Sequence, residues 1–183
     1  MAPQKQPAPS ALPRGCVQVY TGDGKGKTTA AVGLAVRALG AGLSVYFGQF
    51  CKAGEYAEIA ALRRLGGRLT VEQFGCDSFI VGPPSAADLQ AAAEGLAAAG
   101  VALSGGAYDV VILDELMTAV LLRVVGEADV LSLIETRPQH VELVLTGRGA
   151  CEAIVSRADL VTAMRAIKHY YDQGVPARKG IEH

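Results

Sequence analysis

The 183-residue sequence predicts a single α/β domain, a mostly parallel sheet with helices on both faces. Three observations predict it. Apolar runs of strand length alternate with helical stretches along most of the chain. Those runs are nearly continuous, as strands buried on both faces require. Half of the residues are apolar and only 5% are aromatic, so small and aliphatic side chains must pack helices closely onto the sheet. The length suits one domain, and the sequence contains no repeat and no second domain.

The elements follow in order. Residues 1–14, MAPQKQPAPSALPR, hold four of the eight prolines and read as a flexible Pro-rich tail, with the folded domain spanning 15–183. CVQVY (16–20) is a short buried strand. Residues 26–40 form a helix with Ala31, Leu34, Ala35 and Ala38 on one face. LSVYFGQF (43–50) is a second strand. A helix over 55–65 stops at Gly66-Gly67. LTVEQF (69–74) is a third strand, and GCDSFIVGPP (75–84) is a loop closed by two prolines. Ser85 caps a long Ala-rich helix that reaches about Leu103. YDVVILDEL (108–116) is an apolar strand with two acids near its end. Helical segments continue to about Thr136. VELVLTGRG (141–149) is a strand and turn, ACEAIVSRA a short helix, and DLVTAMRAI (159–167) a last strand. The C-terminal KHYYDQGVPARKGIEH is polar and reads as irregular.

Composition excludes several function classes. The net charge of −1 gives no global field for nucleic acid or an anionic membrane. No apolar run approaches the roughly 20 residues of a membrane helix. Cys16, Cys51, Cys76 and Cys151 form no CxxC motif, and no secretory signal precedes them. They read as reduced thiols of a cytoplasmic protein.

Chemistry concentrates in VYTGDGKGKTTA (19–30). A strand, a glycine-rich loop, Lys-Thr and then a helix is the phosphate-cradling arrangement. Gly22, Gly24 and Gly26 let backbone N–H groups approach phosphate oxygens. The helix N-terminus adds free N–H groups and partial positive charge. Lys27 would sit on the phosphates, Thr28 would offer its hydroxyl to Mg²⁺ (or Mn²⁺), and Lys25 is a second cation. Asp23 and Thr29 complete the loop. The usual pattern is GxxxxGK[ST], and its first position is here Thr21, not glycine. This departure marks a subclass of the phosphate-loop (P-loop NTPase-like) fold. In VVILDE, Asp114 and Glu115 follow an apolar strand. They would meet the loop at the sheet's C-terminal edge and hold the metal, directly or through water.

Four stretches resemble the ATP:corrinoid adenosyltransferase family of cobalamin synthesis and salvage, from about Gly15 to the end. YTGDGKGKTTAAVGLAVRALGAG is similar to that family's loop and helix, including its Thr in place of the first glycine. VILDEL, RPQHVELVLTGRG and IKHYYDQGVPARKGIE resemble its acidic strand end, its TGRG turn and its C-terminal motif. The resemblance implies transfer of the 5′-deoxyadenosyl group of ATP to Co(I) of a corrinoid, with release of triphosphate. Lys27 and Glu115 would carry the catalysis. It implies a homodimer and a possible flavoprotein reductant. Arg37 and Arg148 would reach the nucleotide. An aromatic after the third strand would displace cobalt's lower ligand. The chain has no Trp, so Phe79 is the candidate, with Phe74 or Cys76 nearby. Lys168, His169, Arg178 and Glu182 of the tail would close over the corrinoid's amide and carboxylate groups. The corrinoid is left open among cobyrinic acid diamide, cobinamide and cobalamin. Three rivals share the loop: an ATPase using Glu115 on water, a small-molecule kinase, and a nucleotide-switched regulatory module; the C-terminal KHYYDQGVPARKGIE argues for the transferase, because neither generic enzyme class has a motif there.

Overall fold

The computed structural model describes residues 12–76 and 80–182. The chain runs β1 (Val17–Thr21), α1 (Lys27–Gly40), β2 (Val45–Phe50), α2 (Ala57–Leu65), β3 (Leu69–Phe74) and α3 (Ala86–Ser104). It continues β4 (Val110–Asp114), α4 (Leu116–Leu121), α5 (Glu127–Thr136), β5 (Glu142–Thr146), α6 (Glu152–Val155) and β6 (Leu160–Ala163). A single 3₁₀ turn, Tyr170–Gln173, follows. The strands make one sheet in the order β3-β2-β4-β5-β1-β6, and every pairing is parallel.

The strand period of two sorts side chains to the two faces. Val111 and Leu113 of β4 and Leu143 and Leu145 of β5 pack in a core with buried residues of α3, α4, α5 and α6. Val110, Ile112 and Val144 face the other way. They pack against Ala31, Ala35 and Ala38 of α1 and Ile59 and Leu62 of α2. The alanines let α1 lie close to the sheet, and the expected helix face is the buried one, save that Leu34 is only partly buried. All positions of β2 and β4 are buried, as central strands require. Ser85 caps α3 as expected. Its hydroxyl accepts from the Asp88 N–H, and the Asp88 carboxylate accepts from the Ser85 N–H in return.

Several element ends differ from expectation, each for a local reason. The strand expected over 108–116 stops at Asp114, because Glu115 adopts φ 59° and turns the chain directly into α4. Helical segments do follow to Thr136, but Arg123 at φ 60° breaks them into α4 and α5. The last strand spans only Leu160–Ala163. Beyond it, Met164 leaves the sheet edge to cross the glycine loop, where its carbonyl accepts from Gly24 N–H at 2.8 Å. Because the strands are parallel, the segments after β1, β2, β3, β4, β5 and β6 all emerge at one edge.

Candidate active site

The site begins at the end of β1. Thr21, the residue in place of the pattern's first glycine, ties the loop to two neighbours. Its hydroxyl accepts from Ala150 N–H at 3.3 Å, and its carbonyl accepts from Met164 N–H at 2.8 Å. Gly22 follows at φ 95°. A Cβ there would stand 2.3 Å from the Met164 carbonyl oxygen, so only glycine fits. The Gly24 N–H is already donated to Met164, so this glycine seats the C-terminal segment rather than offering its N–H to a ligand. Gly26 leads into α1, which has no side-chain N-cap and no acid in its first turn. Its first N–H groups and positive dipole end are therefore available to an anion.

Lys27 is buried, and its ammonium donates to the carbonyls of Gly22 at 2.7 Å and Gly24 at 2.9 Å. Burial lowers its pKa, against the opposing pull of Glu115. The lysine thus sits folded over the loop that should hold phosphate.

The two acids at the end of β4 have different environments. Asp114 is fully buried. Its carboxylate accepts from Gln49 Nε2 at 3.0 Å and from Thr146 Oγ1 at 2.6 Å. Burial raises its pKa. It braces the strand ends and does not border the cavity. Glu115 does. Its N–H donates to Thr146 Oγ1 at 3.0 Å, its carboxylate accepts from the Thr118 hydroxyl, and Lys52 Nζ lies 3.3 Å away. The same Thr118 oxygen accepts from Arg148 N–H at 3.0 Å. Glu115 and the TGRG turn are thereby locked together. Gly147 permits the approach: it has φ 135°, and a Cβ would meet Thr118 N at 2.5 Å.

These groups border an open cavity of about 680 Å³ at the sheet edge. Of the residues expected from sequence, Asp23, Gly24, Lys25, Gly26, Lys27, Thr28, Thr29, Glu115 and Arg148 line it. Thr21, Gly22 and Asp114 lie behind its wall. Arg37 stands exposed in the last turn of α1, away from it. Phe79 lies outside the described residues. Val32, Ile80, Leu122 and Ile181 supply apolar lining.

Lys52 was not foreseen. It lies two residues beyond the end of β2, is mostly buried, lines the cavity, and its ammonium lies 5.5 Å from the Tyr56 ring centroid. Burial acts to lower its pKa, but the charges of Glu115 and Asp114 outweigh it and hold the ammonium above its ordinary value. A lysine just beyond the C-terminal end of an apolar strand was the available signal.

The C-terminal segment forms another wall through His169, Gly180, Ile181 and Glu182. Lys25 points to it. Its ammonium donates to the Ile181 carbonyl at 2.7 Å, Glu182 Oε1 at 2.8 Å and the Tyr170 hydroxyl at 3.0 Å. Among the described residues no cluster of three or more His, Cys, Asp or Glu could chelate a metal. Thr28 and Glu115 nevertheless border one cavity, which suits an ion such as Mg²⁺ that takes few protein ligands and completes its shell with phosphate and water.

A family model described as ATP:corrinoid adenosyltransferase BtuR/CobO/CobP matches residues 13–183. The chain is 34% identical over 177 residues to corrinoid adenosyltransferase CobA of Salmonella typhimurium, covering 93% of this chain and 86% of that protein. The same figures hold for a corrinoid adenosyltransferase of Escherichia coli strain K12. A corrinoid adenosyltransferase of Pseudomonas aeruginosa is 34% identical over 170 residues, covering 92% of this chain and 84% of its own length.

Proposed function

The chain belongs to the ATP:corrinoid adenosyltransferase family, and from that membership we propose how its cavity performs the transfer. The 5′-deoxyadenosyl group of ATP passes to a corrinoid. The electron pair of Co(I) forms the bond to C5′, the C5′–oxygen bond breaks, and its electron pair leaves on triphosphate. No general base is required. The corrinoid supplies the nucleophile, and the protein supplies orientation and electrostatics.

The observation that carries this reading is the convergence of Lys27, Thr28, Glu115 and Arg148 on one cavity at the uncapped N-terminus of α1. Charge grows on the triphosphate as the bond breaks, and fixed cations and N–H groups stabilise it best where water is excluded. Lys27 moves its ammonium from the loop carbonyls to phosphate. Arg148, held by the Thr118 contact and bordering the same cavity, would meet the phosphates with its guanidinium. Thr28 and Glu115 would hold Mg²⁺ or Mn²⁺, which would supply positive charge to the leaving group. Lys52, 3.3 Å away, holds the Glu115 carboxylate in place. The apolar side chains of Val32, Ile80, Leu122 and Ile181 support ring surfaces of the substrates. The segment containing Phe79 is the place for an aromatic against the corrinoid's lower face. A homodimer and a flavoprotein electron donor complete the proposal, on the strength of the family resemblance. No helix among the described residues is long and apolar enough to cross a membrane.

The test is anaerobic. The protein is mixed with MgATP and chemically reduced cob(I)alamin, the visible spectrum is followed and the phosphate product identified. Adenosylcobalamin with triphosphate is the expected result. ADP with no new corrinoid would establish the ATPase or kinase reading instead.

A further inference from the structure

The phosphate loop carries two lysines, and only one faces its own backbone cradle. Lys27 folds over Gly22 and Gly24, whereas the Lys25 ammonium donates to residues more than a hundred positions away. Its partners form a compact cluster. Tyr170 donates to Glu182, and Arg178 donates to Glu182 from its backbone N–H at 2.7 Å and from its guanidinium at 3.2 Å. Both cations also lie near the Tyr170 ring, Lys25 at 5.7 Å and Arg178 at 4.9 Å from its centroid. Arg178, then Lys25 and Tyr170, hold the Glu182 carboxyl far below the usual carboxylate range, so it stays ionised. A second attachment lies at the start of the same segment. Met164 exchanges hydrogen bonds with the Thr21 carbonyl and the Gly24 N–H. The segment is thus fastened to the loop at both ends, and Gly180, Ile181 and Glu182 line the nucleotide cavity between.

We propose that Lys25 is a positioning residue rather than a phosphate ligand: through Glu182 and Tyr170 it clamps the C-terminal segment onto the phosphate loop as a fixed wall of the nucleotide cavity. The proposal rests on the reading of the cavity as an ATP site. It assigns the C-terminal KHYYDQGVPARKGIE a task at the nucleotide, where the sequence alone suggested the corrinoid. A carboxylate lining a site for a polyanion would repel it. Glu182 is tolerated there because Lys25 and Arg178 neutralise it.

The two roles open to Lys25 predict opposite signs. If Lys25 were a phosphate ligand, Glu182 would compete with ATP for it, and Glu182→Gln would tighten ATP binding. If Lys25 is a clamp, Glu182→Gln loosens the wall and weakens it. The measurement is the ATP dissociation constant by equilibrium dialysis with Mg²⁺, alongside tryptic cleavage after Arg165 and Lys168 read by mass spectrometry. For wild type, Lys25→Met, Glu182→Gln and the double variant, we expect a roughly fivefold weaker ATP affinity in each single variant, as loss of a partly exposed ion pair implies. Faster cleavage at both sites should accompany it. The double variant should be no worse than either single one, because both remove the same clamp. A chain ending at Ala177 should reproduce these effects without any substitution in the loop. Unchanged or tighter ATP binding by Glu182→Gln, or losses that add in the double variant, would overturn the clamp. Neither readout involves a corrinoid. Wild-type protein that turns over no corrinoid would refute the proposed function, whereas an active wild type with additive losses would refute only the clamp.

Discussion

Cys51 illustrates how position decides the chemistry of a single residue. It sits at the end of β2 with φ 57° and borders the cavity, where a reactive thiol could be mistaken for a cobalt ligand. Burial, reinforced by the charges of Glu115 and Asp88, pushes its pKa up to about 12. The thiolate is therefore scarce at neutral pH. Alkylation of Cys51 by iodoacetamide at pH 8, followed by peptide mass spectrometry, should run some tens of times slower than for an ordinary thiol. That figure allows for the greater nucleophilicity of a basic thiolate. The rate should keep rising tenfold per pH unit well past pH 9, and a plateau near pH 8 or 9 would show a normal thiol. Residues of this kind divide by how local their signal is. The places of Lys27, Thr28 and Glu115 around one cavity were legible because a short motif and an apolar strand end position them. Lys52 and Gln49 were not, because each acts through a partner far along the chain: Lys52 through Glu115, Gln49 through Asp114. Asp114 was expected beside the metal with Glu115. The left-handed turn at Glu115 instead sends one acid into the cavity and leaves the other buried beneath it.

Whole elements were readable where a long apolar or amphipathic pattern defines them, and their ends were not. Among the described residues each strand falls where a strand was expected. The central β2 and β4 are buried at every position, as burial on both faces demands, whereas the edge strands β3 and β6 have no buried position. Their limits depend on tertiary partners such as Met164 crossing the glycine loop, which no local pattern announces. Motifs also divide between the two edges of the sheet. In RPQHVELVLTGRG, the Arg137 guanidinium donates to the carbonyls of Pro138 and Val141 and so shapes the entry to β5, at the edge remote from the cavity. The TGRG half lies at the other end of the same strand and reaches the site. Gly147 is its weak point. Glycine→alanine there forces a Cβ against the backbone of Thr118 at φ 135°. Gly147→Ala should lower the unfolding free energy by about 1–3 kcal/mol. It should also displace Arg148 from Thr118 and raise the dissociation constant for ATP. Urea unfolding and equilibrium dialysis measure the two effects. A variant as stable as wild type with normal ATP affinity would remove the TGRG turn from the site.

At the scale of the molecule, the cavity draws on every strand end, so a ligand bound there would be thermodynamically linked to the fold. The loop after β1, Lys52 after β2, Ile80 after β3, Glu115 after β4, Arg148 after β5 and the tail after β6 all border one space. The fold class was legible because the alternation of strands and helices leaves few alternatives. This convergence was not, because it depends on strand order. In an assembly of this kind, a ligand that binds only the native state stabilises all of it. At a MgATP concentration about 100 times its dissociation constant the gain is about 2.7 kcal/mol. For a chain of this length each kcal/mol raises the melting temperature by about 2–4 °C. Wild type should therefore melt about 5–10 °C higher with saturating MgATP than without nucleotide. Lys27→Ala should still unfold cooperatively, a few degrees lower for its two lost hydrogen bonds to the loop. It should lose most of the nucleotide shift, and in the anaerobic assay its adenosyl transfer should fall by about 100-fold or more. Scanning calorimetry on both proteins separates the two effects. If Lys27→Ala kept the full shift and near-normal transfer, the phosphates would lie elsewhere than at the N-terminus of α1. If it showed no cooperative transition at all, Lys27 would be holding the loop together and not the ligand.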